Sequence, residues 1–370
     1  MVTEITNNSN TQLLLIFAKM EQKRDIKQLS LDELKAFFEK HNEKSFRAKQ
    51  IREWLWKKNV KSFEEMTNLS KPLRSLLDEH FVIHTLTVAD KQISKDKTIK
   101  SAFKLYDGNV VEGVLIPSKN RMTACISSQV GCSLTCKFCA TGQLKRVRNL
   151  NPYEIYEQVV EIKKQAIEHY NIPLSNIVYM GMGEPLLNYN NTIESVEMIT
   201  SEEGLGMSPK RITVSTAGIA KMITKLGDDQ VKFNLALSLH AANDKKRNEI
   251  MPINETNSLE ALAEALKYFY DKTKTRITFE YIIFKDFNDT LMDAQELAIF
   301  CKHIPCKINI IEYNPIDGGK FQQADREKVD AFAQYLEKRK LIVNIRRSRG
   351  KDIDAACGQL ANKNKVAISA

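Results

Sequence analysis

From about residue 120 onward, runs of consecutive apolar residues alternate with stretches whose apolar positions recur at three and four, which predicts a series of strand and helix pairs. Six runs read as strands: TACISSQVG (123–131), NIVYMGMGE (176–184), RITVSTAG (211–218), VKFNLALSLH (231–240), TRITFEYIIF (275–284) and CKINIIEYN (306–314). Helix candidates such as PYEIYEQVVEIKKQAIEHY (152–170) and SLEALAEALKYFYDKT (258–273) lie between them. Strands this rich in Val, Ile and Leu, separated by amphipathic helices, belong in a parallel sheet covered by helices. The expected fold class is therefore α/β, a partial (βα)6 barrel. In such a fold the chemistry gathers at the C-terminal ends of the strands, which here read VGC, GMGEP, STAG, SLHA and YNP.

Upstream the period changes. LSLDELKAFFEKHN, SFRAKQIREWLWKK and SFEEMTNLSKPLRSLLDEH are helical in spacing, with Ser and Asn at cap positions and Pro72 near a helix start. TLTVADKQIS, IKSAFKLYDG and NVVEGVLIP then read as short antiparallel strands, with Asp107-Gly108 as a turn signal. The expected organisation is an N-terminal extension (1–20), a small helical accessory domain (21–83), a β extension (84–120), the barrel with a C-terminal cysteine segment (121–361) and a tail (362–370). LLLIFA, from Leu13 to Ala18, is shorter than a signal-peptide core and is preceded by Glu4, which argues against secretion. A second reading starts translation at Met20. No apolar run is long enough to span a bilayer, so a cytoplasmic protein is expected.

Charge adds a polyanionic partner to the picture. Lys and Arg number 55 against 46 Asp and Glu, a formal net charge of +9 in 370 residues. Lys137, Lys145, Arg146 and Arg148 crowd one cysteine region, and Arg346, Arg347, Arg349 and Lys351 precede Cys357. A single basic run is usually a solvated face. Two of them beside the two cysteine regions favour a phosphate-lined approach to a reactive site. Seven cysteines, an odd number in no regular framework, point to a reducing compartment with thiols kept for chemistry or metal.

Three of those cysteines, Cys132, Cys136 and Cys139, fall within GCSLTCKFCATG. Structural zinc is nearly always four-coordinate and usually built from two separated ligand pairs. Here no fourth Cys or His is close in sequence, and Phe138, Ala140 and Gly142 make the surroundings apolar. Thiolate ligation of an iron-sulfur cluster, with one iron left open, suits the spacing better.

C-x3-C-x2-C at the end of the first strand of a βα barrel resembles the radical S-adenosylmethionine (SAM) superfamily. The resemblance implies that Cys132, Cys136 and Cys139 hold a [4Fe-4S] cluster whose open iron is chelated by SAM. It also implies that Gly183 and Glu184, in GMGEP, belong to the SAM-binding segment, and that Ser215, Ser238, Leu239, His240 and Asn314 at later strand ends contact the same cosubstrate. Taken alone, GMGEP is a common turn and His240 a satisfied core histidine.

GCSLTCKFCATG, YMGMGEPLLNYNN, SLHAANDKKRNEIMPIN, CKINIIEYNP and RRSRGKDIDAACGQLA together resemble the dual-specificity RNA methyltransferases that act on adenosine C2, in one register to residue 361. That resemblance implies two substrates, an adenosine in the peptidyl-transferase region of 23S rRNA and the adenosine 3′ of the anticodon in certain tRNAs. C2 of adenine is an electron-poor amidine carbon, so polar methyl transfer fails there. The family chemistry uses two SAM molecules, one to methylate Cys357 and one as the radical source. The resemblance implies that Cys357 carries the methyl group to the base, that Glu112 removes the C2 proton, and that Cys125 releases the product through a transient disulfide. An electron donor such as a flavodoxin or ferredoxin system, and a monomeric enzyme, are also implied.

Each of these residues has a bland reading. A lone strand carboxylate such as Glu112 is more often an ion-pair partner, and single cysteines such as Cys125 and Cys357 are usually small buried hydrophobes. Cys301 and Cys306 are assigned to the core. Arg47, Lys49, Arg52, Trp54 and Trp56 make the helical domain a candidate RNA-binding module, although the tryptophans could equally pack its helices. Two alternatives stay open: a sister enzyme methylating C8, from which Pro185 after Gly-Glu separates the C2 type, and a non-catalytic RNA-binding protein with a metal staple.

Overall fold

The computed structural model describes residues 23–302 and 304–363, and the expected N-terminal extension with its alternative start at Met20, and the tail from 364, lie outside the described residues. Two compact units result: one runs through Thr85 and takes in Ser201–Gly206, and the other holds Leu86–Thr200 and the chain from Met207.

The first unit is built from α1 (Leu31–Lys40), α2 (Arg47–Arg52) and α3 (Lys71–His80). Ser30 starts α1 with a capping box, its hydroxyl accepting from Glu33 N–H at 3.1 Å while Glu33 Oε2 accepts from Ser30 N–H at 2.7 Å. Ile26, Leu34, Phe38, Ile51, Trp54 and Leu77 form its core. Trp54 is buried and its indole N–H donates to Asn68 Oδ1, and the half-buried Trp56 packs on the same cluster. Packing accounts for both tryptophans.

The second unit is organised by a ten-stranded sheet. Its strands are β1 (Thr87–Ile93), β2 (Ile99–Lys104), β3 (Val110–Ser118), β4 (Arg121–Cys125), β5 (Asn176–Tyr179), β6 (Ile212–Thr216), β7 (Asn234–Ser238), β8 (Ile277–Ile283), β9 (Cys306–Glu312) and β10 (Val343–Arg346). β1 to β4 pair antiparallel in succession. From β4 onward every pairing is parallel. Helices connect these parallel strands: α4 (Pro152–Tyr170), α5 (Tyr189–Thr200), α6 (Ala220–Asp228), α7 (Asp244–Ile250), α8 (Leu259–Thr273), α9 (Leu291–Cys301) and α10 (Arg326–Glu337). The six expected strands are present, and the antiparallel β extension lies on the β4 side of the sheet. β10 is an addition. It is the sheet's outer edge, largely exposed, and its sequence VNIR lacks the apolar run that marks the others.

Side chains alternate across this sheet. One row, Leu237, Phe279 and Ile308, is fully buried and in register from β7 to β9, each such side chain contributing about 1.5–3 kcal/mol by burial. The neighbouring row, Ser238, Glu280, Asn309 and Asn344, is polar and points to the other face. No helix among the described residues is long and apolar enough to cross a membrane.

Candidate active site

The strand ends converge through hydrogen bonds that spend the polar groups of GMGEP on the scaffold. Glu184 is buried; its Oε1 accepts from Leu186 N–H at 2.9 Å and its Oε2 from Ala217 N–H at 2.7 Å, so the carboxyl struts the end of β5 against that of β6. Burial pushes this carboxyl up, and the two backbone donors oppose the shift. Gly183 has φ +94°, and a Cβ there would meet Gln129 Cβ at 2.5 Å and its backbone N at 2.9 Å. Only glycine fits that close approach.

The cysteine loop follows β4. Cys139 N–H donates to Cys136 O at 3.2 Å and Lys137 N–H to Ile250 O at 3.0 Å, anchoring the loop to the end of α7. Gly142 is held so closely that an added Cβ would lie 2.9 Å from Cys136 O. Phe138, Ala241, Met251, Ile282 and Phe284 form an apolar shell on which Cys136 and Cys139 pack. Burial raises all three thiols, Cys132 to about 11, with the nearby charges of Cys139 and Glu184 adding to it and the Leu134 N–H opposing. Among the described residues no three His, Cys, Asp or Glu side chains group as ligands of one metal ion. An all-sulfur donor set on one loop in an apolar shell fits a polynuclear iron-sulfur group, whose positive irons would turn these neutral thiols into thiolates.

Around the mouth, Ser215 Oγ and Ser238 Oγ lie 3.3 Å apart. Leu239 N–H donates to Glu280 O at 3.0 Å. His240 takes the left-handed conformation at φ 56°, its Nδ1 accepts from Ile282 N–H at 3.1 Å, and Phe138 meets its ring edge-on at 4.7 Å. Burial, then the charge of Arg247, lowers its pKa to about 3, so the ring is neutral with its proton on Nε2. Asn314 Nδ2 donates to Cys357 O at 3.3 Å, while its Oδ1 is buried without a hydrogen-bond partner, as is Glu280 Oε2. Unmet acceptors of this kind suit a bound group that carries amine or hydroxyl donors, as SAM does.

Glu112, Cys125 and Cys357 meet through a strap formed by residues 349–363. Register places Glu112 opposite Ala102, and Lys100, Val114 and Cys125 side by side across β2, β3 and β4, so all of these share one face. The strap is tied to Asp96 by Arg349 (3.1 Å), to the cysteine loop by Gly358 O accepting from Ala140 N–H (2.7 Å) and Leu360 O accepting from Thr141 Oγ1 (2.5 Å), and to β3 by Asn362 Nδ2 donating to Val110 O (2.7 Å). Cys357, on this strap, is an exposed free thiol, yet enough protein surrounds it to push the thiol up, with Glu280 adding, Arg346 opposing and Cys139 adding again. The thiol is therefore accessible, with other groups of the site close by. Cys125 is buried, and after burial it is the charge of Cys357 that raises its thiol, which makes the two cysteines neighbours. Glu112 is not at the surface: it is 1 % exposed and pairs with Lys100 at 3.6 Å.

Three buried charges escaped the sequence reading. Arg247, fully buried, donates to Ala217 O (2.6 Å), Leu239 O (3.1 Å), Ser238 O (3.2 Å) and Asn254 Oδ1 (2.6 Å), clasping the ends of β6 and β7. In DKKRNEI it is indistinguishable from a surface charge. Glu280 carried a signal, the one charge inside the strand ITFEYII. Lys100 had none. Of the two basic groups, Arg148 is spent on Asp107 (2.6 Å) and Glu154 (2.7 Å), and Arg347 and Lys351 on Glu312 (2.7 and 3.1 Å). Lys137, Lys145, Arg146 and Arg346 are exposed. Cys301 is buried, with Cys306 as its side-chain neighbour, at the β9 end away from this site.

Comparisons with known proteins cover both units. Residues 24–83 match the ribosomal RNA large subunit methyltransferase N-terminal domain (RlmN_N), and residues 126–298 match the radical SAM superfamily. The "Probable dual-specificity RNA methyltransferase RlmN" of Cytophaga hutchinsonii is 62% identical over 95% of this chain and 98% of its own. The "Dual-specificity RNA methyltransferase RlmN" of Campylobacter fetus is 42% identical over 93% of this chain and 99% of its own. A crystal structure of a radical SAM methyltransferase from Sphaerobacter thermophilus superposes with a TM-score of 0.85 at 37% identity, covering 91% of this chain and 99% of that one.

Proposed function

Because this chain belongs to the RlmN family of radical SAM RNA methyltransferases, we propose that it methylates C2 of an adenosine in 23S rRNA and of the adenosine 3′ of the anticodon in certain tRNAs, with Cys357 as methyl carrier. The observation that carries the reading is the strap, which brings an accessible Cys357 beside Cys139, with Cys125 adjacent and Glu112 on the same face as Cys125. When bound, a [4Fe-4S] cluster and SAM supply the methyl group and the one-electron chemistry that polar transfer to C2 lacks.

The residues of the chain then have distinct parts. Cys132, Cys136 and Cys139 hold the cluster. Gly183, Glu184, Ser215, Ser238, Leu239, His240 and Asn314 shape the SAM site, Gly183 by admitting close backbone approach and Glu184 and His240 by fixing the strand ends. Cys357 joins the target base through a thioether. Glu112 accepts the C2 proton, and its electron pair returns to the ring. Cys125 as thiolate attacks the Cys357 sulfur; an S–S bond forms, the carbon–sulfur bond breaks, and the departing carbon takes a proton to become the methyl group. The exposed Lys137, Lys145, Arg146 and Arg346 receive phosphates. A target in a loop, or one flipped out, reaches Cys357. Electrons come from a flavodoxin or ferredoxin system to a monomeric, cytoplasmic enzyme.

Pro185, which opens the turn after Glu184, favours C2 over C8. Chromatography of nucleosides from RNA treated with the holoenzyme, SAM and reductant tests this: 2-methyladenosine is expected, and 8-methyladenosine alone would move the protein to the C8 type.

A further inference from the structure

Lys100 and Glu112 form an ion pair that is hard to explain as a source of stability. Both side chains are buried, at 7% and 1% exposure, with Nζ 3.6 Å from Oε1. Desolvation offsets most of the attraction in such a pair, and an apolar replacement of both partners is often no less stable. What the pair fixes is orientation. Glu112 Oε2 accepts from Ala361 N–H at 2.9 Å and from Asn362 N–H at 3.0 Å, so an ammonium and two backbone donors surround the carboxyl. Those donors engage both oxygens and so fix the orientation of the carboxyl between β2 and the strap. Lys100 Nζ also reaches Asp354 O at 3.5 Å. Both of its contacts therefore connect β2 to the base or to the strap.

We infer that Lys100 is a positioning residue for the proton-transfer step: it holds Glu112 as an oriented carboxylate and, through it, seats the strap that carries Cys357. This rests on the reading of Glu112 as the base. A consequence follows from the same contacts. When Glu112 takes the C2 proton, the attraction to Lys100 falls and one acceptor site of the carboxyl is lost, so residues 361 and 362 are held less tightly just before Cys125 must reach the Cys357 sulfur.

The test uses holoenzyme, SAM, reductant and an RNA substrate tritiated at C2 of the target adenosine. Wild type should release tritium from C2 in step with product, into water or, where the carboxyl returns it to the departing carbon, into the new methyl group. In Lys100→Met, which keeps the stem and removes the charge, the ratio of 5′-deoxyadenosine formed to tritium released should rise about tenfold or more, and Lys100→Arg should restore most of the coupling. Independently of turnover, hydrogen exchange of the peptide containing Ala361 and Asn362, in protein without SAM or RNA, should quicken in Lys100→Met and in Glu112→Gln and stay near wild type in Lys100→Arg. Iron content and melting temperature report whether each variant is folded. If wild type releases tritium and Lys100→Met does so with an unchanged ratio, or Lys100→Arg is no better than Lys100→Met, the inference fails and Glu112 remains the base. If Glu112→Gln displaces tritium from C2 and forms product at the wild-type ratio, the base assignment fails and the role of Lys100 with it.

Discussion

At the scale of single residues, several positions have a conformation that leaves little choice. Gly183→Ala places a Cβ against Gln129 backbone at a left-handed φ, so it should lower stability by about 1–3 kcal/mol and weaken SAM binding, read by urea unfolding and by equilibrium binding. Ordinary binding with a normal midpoint would show that the close approach is not required. His240 makes a pH prediction. Its folded-state pKa is lowered from 6.5 to about 3, so below 6.5 the unfolded chain binds a proton that the folded chain refuses. Stability from this group is intact above 6.5 and falls as pH drops toward about 3. His240→Asn tolerates φ 56° and can still accept from Ile282 N–H, so cluster-free protein carrying it should lose less stability between neutral and acid pH than wild type; equal losses would contradict the assignment. The three-cysteine spacing was legible by itself, whereas the polar residues at the later strand ends could be singled out only through the family resemblance, because each alone has an ordinary structural use. Arg247 and Lys100 were not legible, because a buried charge and a solvated one look alike until the fold surrounds them.

Elements were legible where burial is two-sided. The runs that became β4 to β9 are apolar because helices or neighbouring strands cover them, and α4 and α8 carry regular apolar spacing, so both pattern and length agreed. β10 was missed for the opposite reason: at the sheet edge it is mostly exposed, and Arg346 alternates with Ile345 in place of a second apolar row. The strap was legible as a cysteine segment but its path was not, because it has almost no regular structure to leave a period in the sequence. In the helical unit, buried Trp54 is a packing element whose indole N–H is satisfied by Asn68. Trp54→Ala should cost that unit about 3–5 kcal/mol, measured by chemical unfolding, whereas a tryptophan serving mainly to stack on RNA bases would leave its stability nearly unchanged and reduce RNA affinity alone.

In the larger unit, the strand ends of the sheet hold a three-thiol loop, and the strap that carries Cys357 is tied to that loop. Replacing any one of Cys132, Cys136 or Cys139 by Ala should abolish bound iron and SAM cleavage while far-UV circular dichroism stays that of the folded protein, since a three-thiolate site has no spare ligand; full iron content in such a variant would rule out the ligand set. The central claim is that Cys357 carries the methyl group and Cys125 releases it. Its most direct test is a denaturing gel of the Cys125→Ala enzyme after reaction with RNA, followed by ribonuclease digestion and mass measurement of the peptide holding Cys357. The account predicts that this peptide bears a covalently attached adenosine nucleotide and that Cys357→Ala gives neither adduct nor methylated RNA; a bare Cys357 peptide in the first variant, together with turnover by the second, would contradict it.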